Sequence, residues 1–303
     1  MKTYKKSAKI IFLGEHAVVK GGTAIAAAID KELTLNVLDN NDSEHKLSIT
    51  DWDLDISSKD TGNDIIEALA AIEKALPGAR KFSTFSGKAN FPCGAGLGSS
   101  ASLALALSQA IASDRYPKPT QDAIVSAAHK AEKVFHDTPS GLDVSAISTG
   151  GFIAYKTDRI TKLPNISPLP VAVGISNETR STKEQIHSLR QLQSKNQQKV
   201  DKVFEAIGNL SEKALDFLKT NNWETTGKLM TKCHKLLGSI GVSTKELDAM
   251  VETALGLGAY GSKLTGAGGG GSVIAVGPKD TLSKIVSAWE SSGYNAFIAQ
   301  AGV

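Results

Sequence analysis

Hydrophobic and polar positions along this chain predict strands and helices in both of its halves. Short apolar, β-branched runs bounded by turn residues predict strands, whereas apolar residues spaced three and four apart predict helices. The predicted strands lie at 9–14, 45–51, 82–91, 150–157, 171–176, 272–277 and 295–301. The predicted helices lie at 63–76, 99–113, 121–135 and 281–292, with mostly helical sequence over about 182–257. Because both kinds of element occur throughout, we expect an α+β fold built in layers rather than a helical bundle.

Three local features refine this layout. The alanine-rich stretch 23–38 predicts a pair of strands, although its alanines would also suit a helix. Asn63 is the expected N-cap of the first predicted helix, because its side-chain oxygen can accept a hydrogen bond from a free backbone N–H. Three prolines in 160–170 predict a linker, so we expect an N-terminal domain at 1–165 and a C-terminal domain at 166–303.

Composition narrows the classes of function. The 303 residues include 34 Lys or Arg and 31 Asp or Glu, which gives a formal net charge of +3. So small an excess argues against nucleic acid or an anionic membrane as the partner. Two cysteines, Cys93 and Cys233, are too few for a disulfide framework, and we expect buried thiols in a reducing compartment. The early apolar run at 10–13 is too short for a signal peptide and no run approaches a membrane span, so we expect a cytoplasmic protein.

The stretch 92–102, PCGAGLGSSAS, leads directly into a predicted helix. Its alternating glycines let the main chain approach an anion, and the start of a helix offers free N–H groups at a positive end. Together these features predict a phosphate-binding loop, with Ser99 and Ser100 at the helix cap, where a hydroxyl can cap the helix or reach a phosphate-bound metal ion. The loop lacks the lysine of a Walker A motif and the third glycine of a dinucleotide fingerprint. The alternative is a glycine-rich turn followed by a serine-capped helix.

The stretch 132–143, EKVFHDTPSGLD, carries two carboxylates around a Pro-Ser-Gly turn. Glu132 lies near the end of a predicted helix, and Asp143 lies beyond the turn. A nucleotide-bound Mg²⁺ takes one or two carboxylates, and a separate carboxylate can accept the proton of an attacking hydroxyl. This segment could supply one carboxylate of each kind. The alternative is a pair of ordinary surface carboxylates.

A second glycine cluster, KLTGAGGGG, lies at 263–271. It matches the spacing of a dinucleotide fingerprint, but a predicted strand follows it where that fingerprint requires a helix. We therefore interpret it as a glycine turn at which the backbone comes close to a ligand. The alternative is a tight turn with a purely structural role.

Charged and polar residues also surround the first predicted strand. Lys9 and Glu15 are six positions apart, which on a strand would place them on one face, with His16 on the other face or at the exit. The alternative is a surface lysine and an ordinary Glu-His pair. By itself this segment indicates no particular chemistry.

Taken together, these four stretches resemble the GHMP kinases, a family named for galactose, homoserine, mevalonate and phosphomevalonate. The resemblance covers the motifs of the family in their order, over residues 9–271. The wording GEHAVV at 14–19 is most similar to members that act on mevalonate, since galactokinases read GEHTDY there and phosphomevalonate kinases have Tyr in place of His16. The resemblance implies an N-terminal domain like domain 2 of ribosomal protein S5 and a ferredoxin-like C-terminal domain.

The resemblance also implies an activity, namely Mg²⁺- and ATP-dependent phosphorylation of the 5-hydroxyl of (R)-mevalonate in isoprenoid biosynthesis. It implies Asp143 as the proton acceptor, Lys9 as a neighbouring stabiliser of charge, and Ser100 and Glu132 as Mg²⁺ ligands. The implied ATP-binding residues are Pro92, Gly94, Ala95, Gly96, Leu97, Gly98, Ser99, Ser100 and Ala101. The implied mevalonate-binding residues are Glu15, His16, Thr182, Gly266, Ala267 and Gly268.

Two departures from the family pattern leave alternatives open. Lys20 replaces a frequent Tyr, and Glu178-Thr179-Arg180 is an unusual lead into the Ser-Thr-Lys stretch at 181–183. Acceptor choice and nucleotide preference therefore stay open, and one alternative is a sister kinase acting on phosphomevalonate, another small hydroxylated acid or a sugar. Another alternative is a non-catalytic nucleotide-binding regulator, although Lys9 and Asp143 are retained. Family members often form homodimers, so a homodimer also stays open.

Overall fold

The computed structural model describes residues 1–40, 43–78, 81–136, 139–178, 191–194 and 196–303. Its strands are β1 (Lys2–Leu13), β2 (Ala24–Asp39), β3 (Lys46–Ile49), β4 (Leu54–Ser57), β5 (Ser83–Ala89), β6 (Phe152–Lys156), β7 (Arg159–Lys162), β8 (Leu169–Ile175), β9 (Gly261–Thr265), β10 (Ser272–Val276) and β11 (Asn295–Ala301). Its helices are α1 (Asp64–Ala75), α2 (Ser99–Arg115), α3 (Gln121–Phe135), α4 (Leu142–Thr149), α5 (Gln197–Lys219), α6 (Trp223–Gly238), α7 (Lys245–Gly256) and α8 (Lys279–Ser291).

These elements belong to two compact units. Unit 1 consists of Met1–Ala8, Lys31–Cys93 and Gly98–Ser148. Unit 2 consists of Lys9–Asp30, Gly94–Leu97 and Thr149–Val303. The chain passes from one unit to the other inside strands β1 and β2, at both ends of the loop segment 94–97, and at the end of α4. The single division expected at 165/166 therefore stays a prediction.

Unit 1 combines a mixed sheet with a helical layer. The strand order is β4-β3-β5-β2, in which β3 runs parallel to β5 and the other pairs are antiparallel. Helices α1, α2 and α3 pack against one another. Helix α2 buries Ala, Leu and Ser residues around most of its circumference, as expected of a helix in the interior. The predicted cap of α1 is confirmed, since the Asn63 side chain accepts a hydrogen bond from the N–H of Ile65 at 2.9 Å.

Unit 2 contains an antiparallel sheet with the strand order β2-β11-β8-β10-β9, and β6 pairs with β2 and β7. Helix α8 packs on β8 and β11, α6 packs on β9, and α7 packs on β9 and β10. Trp289 of α8 is fully buried, and its indole N–H donates to the carbonyl of Met250 at 3.0 Å. A Cβ at Gly174 of β8 would lie 2.6 Å from that ring, so glycine makes room for the tryptophan.

The predicted α+β character is confirmed, with local corrections. Residues 23–38 do not form two strands, because β2 is a single unbroken strand. Its buried alanines lie beside β6 in the sheet. Strands β4, β7 and β9 and helix α4 are short elements that the sequence did not predict. The proline-rich stretch 160–170 includes the end of β7 and the start of β8 inside unit 2. Residues 182–190 of the predicted helical region lie outside the described residues.

The cysteine prediction is half wrong. Cys233 is buried as expected, whereas Cys93 is exposed because it lies at the start of the first glycine loop. Across the described ranges, no helix combines the length and apolar character that crossing a membrane requires.

Candidate active site

The first glycine loop enters helix α2 through Gly98. Gly94, Gly96 and Gly98 have φ values of +73°, +77° and +84°, in the left-handed region that favours glycine. Gly98 is the N-cap, and Ser99 and Ser100 are the first two residues of the helix. A serine cap, expected both in the phosphate-loop prediction and in its alternative, is therefore wrong, because both serines follow the cap residue. Because glycine has no side chain with which to cap the helix, the positive end of α2 suits an anion.

The carbonyl groups of this loop are held by other residues of unit 2. The Lys9 ammonium donates to the carbonyl of Gly96 at 3.0 Å, and the Lys9 N–H donates to that of Leu97 at 2.9 Å. The Ser272 hydroxyl donates to the carbonyl of Ala95 at 2.7 Å. Three consecutive carbonyls therefore have protein donors, which fixes the conformation of the loop, as a preorganised binding site requires.

The second glycine cluster packs directly on the first loop. A Cβ at Gly96 would lie 2.8 Å from the carbonyl oxygen of Thr265, and a Cβ at Gly266 would lie 2.9 Å from the Cα of Gly96. The Thr265 hydroxyl accepts a hydrogen bond from the N–H of Ile11 at 2.8 Å. Close approach of two main chains thus requires glycine at these positions, whereas the approach of a ligand stays a prediction.

Glu15 and His16 lie in the turn after β1, not on the strand. Strand β1 ends at Leu13, so the argument that Lys9 and Glu15 share a strand face is wrong. Glu15 is only 2% exposed, and its carboxylate accepts a hydrogen bond from the fully buried ammonium of Lys263. Burial raises the pKa of Glu15, and the Lys263 ammonium opposes that rise. The carboxyl is therefore an internal group held by a specific cation.

The ring of His16 contacts the second glycine cluster. Its Nε2 lies 2.9 Å from the carbonyl oxygen of Ala267, and burial lowers the pKa of His16. Since a carbonyl only accepts, Nε2 carries the proton and Nδ1 of the neutral ring is the acceptor. His16 has a φ of +60°, an uncommon backbone conformation for a non-glycine residue and one that clusters at functional sites.

Unit 1 contains the two predicted carboxylates. Glu132 on α3 is 3% exposed, and its Oε2 lies 3.0 Å from Nδ1 of His129. Burial raises the pKa of Glu132, and the nearby charge of Asp143 adds to the rise. Asp143 is half-buried in the first turn of α4. The alternative of two ordinary surface carboxylates is therefore wrong for Glu132. The oxygens of these two carboxylates are hard ligands, and their negative charges repel each other. Such a pair fits a divalent cation such as Mg²⁺.

The structure thus brings the predicted residues together in two groups. Within unit 2, the loop 94–97 is contacted by Lys9 and by the glycine cluster at 266–268. Glu15 is bound by Lys263, and His16 contacts Ala267 of the same cluster. Within unit 1, Glu132 and Asp143 lie within electrostatic reach of each other. Lys9 and Asp143 belong to different units, so their expected proximity stays a prediction. Thr182 lies outside the described residues, as do residues 137–138 and 179–180.

Sequence reasoning missed the side chains behind these residues. Lys263 binds Glu15 in the turn after β1, Thr265 binds strand β1, and Ser272 binds the first glycine loop. None of the three is among the site residues predicted from the sequence. A lysine three positions before the first glycine of the second cluster was a usable signal for Lys263. Its burial could not be predicted because strand β9, which contains it, was itself not predicted.

Comparison with known proteins gives similarity over nearly the whole chain. The family model described as GHMP kinases N terminal domain matches residues 63–151, and the model described as GHMP kinases C terminal matches residues 213–295. A mevalonate kinase of Pyrococcus abyssi is 34% identical over 89% of this chain and 87% of its own. One of Thermococcus gammatolerans is 31% identical over 97% of this chain and 94% of its own. The crystal structure of the Methanococcus jannaschii mevalonate kinase has 25% identity and a TM-score of 0.84, covering 100% of this chain and 98% of its own.

Proposed function

Because this chain belongs to the GHMP kinase family, we propose that it transfers the γ-phosphoryl group of ATP to the 5-hydroxyl of (R)-mevalonate. The products are ADP and 5-phosphomevalonate. The observation that carries the reaction type is the anchoring of the buried Lys9 ammonium on Gly96 of the glycine loop. The choice of acceptor follows the relatives, which are mevalonate kinases at 31–34% identity.

The proposed phosphoryl transfer assigns one proton acceptor and one fixed cation. Asp143 takes the proton of the 5-hydroxyl while the oxygen of that hydroxyl forms a bond to the γ-phosphorus. The bond from the γ-phosphorus to the β,γ-bridging oxygen breaks at the same time. The electron pair leaves with ADP. Lys9 stabilises the negative charge that grows on the transferred group. Such a reaction depends chiefly on positioning and charge, because little covalent chemistry is asked of the protein.

ATP binding is assigned to the first glycine loop. Backbone N–H groups over 94–101 and the positive end of α2 would bind the phosphates, with Pro92 at the entry to the loop. Ser100 and Glu132 would hold Mg²⁺, which neutralises phosphate charge when bound. The support for this assignment is the loop geometry and the buried position of Glu132.

Acceptor binding is assigned to the turn after β1 and the second glycine cluster. His16 would contact mevalonate through Nδ1. Glu15, which the resemblance implies as a second mevalonate-binding residue, is buried against Lys263 and would fix the turn that carries His16. Residues 266–268 would form the adjoining wall of the acceptor pocket. Thr182 completes this set as a prediction from the family resemblance.

A coupled assay of ADP release across a panel of acceptors tests the proposal. Purified protein, ATP and Mg²⁺ are combined with (R)-mevalonate, phosphomevalonate, homoserine or galactose. We expect ADP release that depends on mevalonate. Activity on phosphomevalonate or a sugar with none on mevalonate would assign the chain to a sister kinase. Absence of acceptor-dependent release, with ATP still bound, would favour a nucleotide-binding regulator.

A further inference from the structure

A buried ion pair joins the proposed acceptor turn to strand β9. The Lys263 ammonium is 0% exposed and donates both to the Glu15 carboxylate and to the carbonyl of Leu264. The charged partners are 248 positions apart in the sequence. Burying two charges costs free energy that the attraction between them often fails to recover, and apolar pairs of similar volume are frequently as stable. Stability alone is therefore a weak reason for this pair.

The carboxylate of Glu15 is held at both of its oxygens. Oε1 accepts from Lys263, and Oε2 lies 4.0 Å from the sulfur of Cys233. Burial raises the pKa of Cys233 to about 12, so the thiol stays protonated and can donate. Lys9 adds a smaller favourable electrostatic effect on Glu15. Without Lys263, the carboxylate would lose the cation that hydrogen-bonds to it.

The position of Glu15 determines that of its neighbour, His16. On one side, a Cβ at Gly14 would clash with the backbone of Thr23 and Ala24, so the turn lies directly against the start of β2. On the other side, Lys263 holds Glu15. A non-glycine residue at a φ of +60°, such as His16, persists only where its surroundings hold it in place.

The strand that carries Lys263 is itself fixed by a second buried histidine. Nδ1 of His234 accepts a hydrogen bond from the N–H of Leu264 at 3.3 Å, and its Nε2 lies 3.0 Å from Oδ1 of Asp248. His234 is 5% exposed. The ammonium of Lys263 therefore projects from a strand with a defined position, which a positioning role requires.

We propose that Lys263 is a positioning residue for the acceptor, acting through Glu15 to hold the turn 14–16 and the ring of His16 in their binding geometry. This inference rests on the proposed function, because it concerns binding of the acceptor. The hydrogen bonds to the carbonyls of the nucleotide loop come from Lys9 and Ser272 and not from Lys263. Loss of Lys263 should therefore weaken acceptor binding while ATP binding persists.

Steady-state kinetics of Lys263→Met separate positioning from mere support of the fold. We expect the KM for mevalonate to rise about tenfold or more, as for loss of a charge-assisted contact, with the KM for ATP nearly unchanged. Lys284→Met, at an exposed lysine of α8, is the control and should match the wild type. An unchanged mevalonate KM, with only kcat or the amount of folded enzyme reduced, would overturn the proposal.

A comparison of Glu15→Gln with the double variant keeps the proposal testable if Lys263→Met alone fails to fold. Glu15→Gln combined with Lys263→Met removes both charges, which buried pairs often tolerate. If Lys263 acts through Glu15, the double variant should have the same mevalonate KM as Glu15→Gln alone. A further rise in the double variant would contradict this.

The wild-type enzyme distinguishes failure of this inference from failure of the proposed function. A wild type that uses another acceptor of the panel refutes mevalonate as the substrate, and the same KM comparison is then made with that acceptor. Unequal KM values for Glu15→Gln and the double variant would refute only the role of Lys263.

Discussion

The Lys9 ammonium donates a hydrogen bond to the carbonyl of Gly96 across 3.0 Å, which anchors the proposed catalytic cation to the first glycine loop. Lys9 is 1% exposed, and its N–H also donates to the next carbonyl of the loop, that of Leu97. A buried charge acts strongly on its neighbours because little water screens it. A fixed positive charge therefore lies against the loop proposed to bind ATP.

Removing that charge should impair catalysis. We expect Lys9→Met to lower kcat by about two to four orders of magnitude, the range for a positioned charge-stabilising group. The ADP-release assay measures this loss, with Lys284→Met as the matched control. A kcat within about threefold of the wild type would remove Lys9 from the proposed mechanism.

The contact between the two glycine clusters predicts different costs for two similar substitutions. Gly94 and Gly96 both have positive φ, but an added Cβ meets nothing within 4 Å at Gly94, whereas at Gly96 it lies 2.8 Å from the Thr265 carbonyl oxygen. Gly94→Ala should lower the free energy of unfolding by about 1 kcal/mol through backbone strain. Gly96→Ala should cost about 1–3 kcal/mol more, because a main chain must also move. Urea unfolding without ATP measures both, and equal costs would argue against the contact.

The buried carboxylate of Glu132 predicts a change in metal requirement. If Glu132 holds Mg²⁺, Glu132→Gln should raise the Mg²⁺ concentration for half-maximal activity by about tenfold or more, since a neutral amide is the weaker ligand. Chelating the metal should abolish the activity of the wild type. Glu290→Gln, at an exposed position of α8, is the control. An unchanged Mg²⁺ dependence would exclude Glu132 as a ligand.

His234 predicts a loss of stability at mildly acidic pH. Burial lowers the pKa of His234 below its ordinary value of 6.5. Between the folded pKa and 6.5 the unfolded chain binds more protons, so the free energy of unfolding falls as the pH falls through that window. Denaturant unfolding at a series of pH values should show a smaller fall for His234→Gln than for the wild type. Parallel pH profiles would contradict the assignment.

Much of the fold was predictable because its signals are local. The period of 63–76 and its Asn63 cap predicted α1 nearly to the residue, and 295–301 matches β11. The alternating glycines of the first loop suit backbone angles that other residues rarely adopt, and all three have positive φ. Each of these patterns depends on residues close in sequence.

The remainder depends on partners distant in sequence. The strand-face argument for Glu15 was wrong because β1 ends two residues earlier, and the cation that holds Glu15 lies 248 positions away. The alanines of β2 are ambiguous in isolation and become strand because sheet partners cover them. The exposure of Cys93 likewise follows from how the loop folds and not from its composition.

Phosphorus NMR of the products formed from ATP and (R)-mevalonate tests most directly whether this chain phosphorylates a primary hydroxyl with Asp143 as proton acceptor. An ester at the 5-oxygen adjoins a methylene group, so its signal splits into a triplet, whereas an ester at the tertiary 3-oxygen gives no such splitting. We expect the triplet with the wild type and with the control Asp280→Asn, which changes an exposed aspartate of α8. We expect Asp143→Asn to bind ATP but to form no triplet. No ester from the wild type, an unsplit ester, or a triplet formed by Asp143→Asn at the wild-type rate would contradict the proposed reaction.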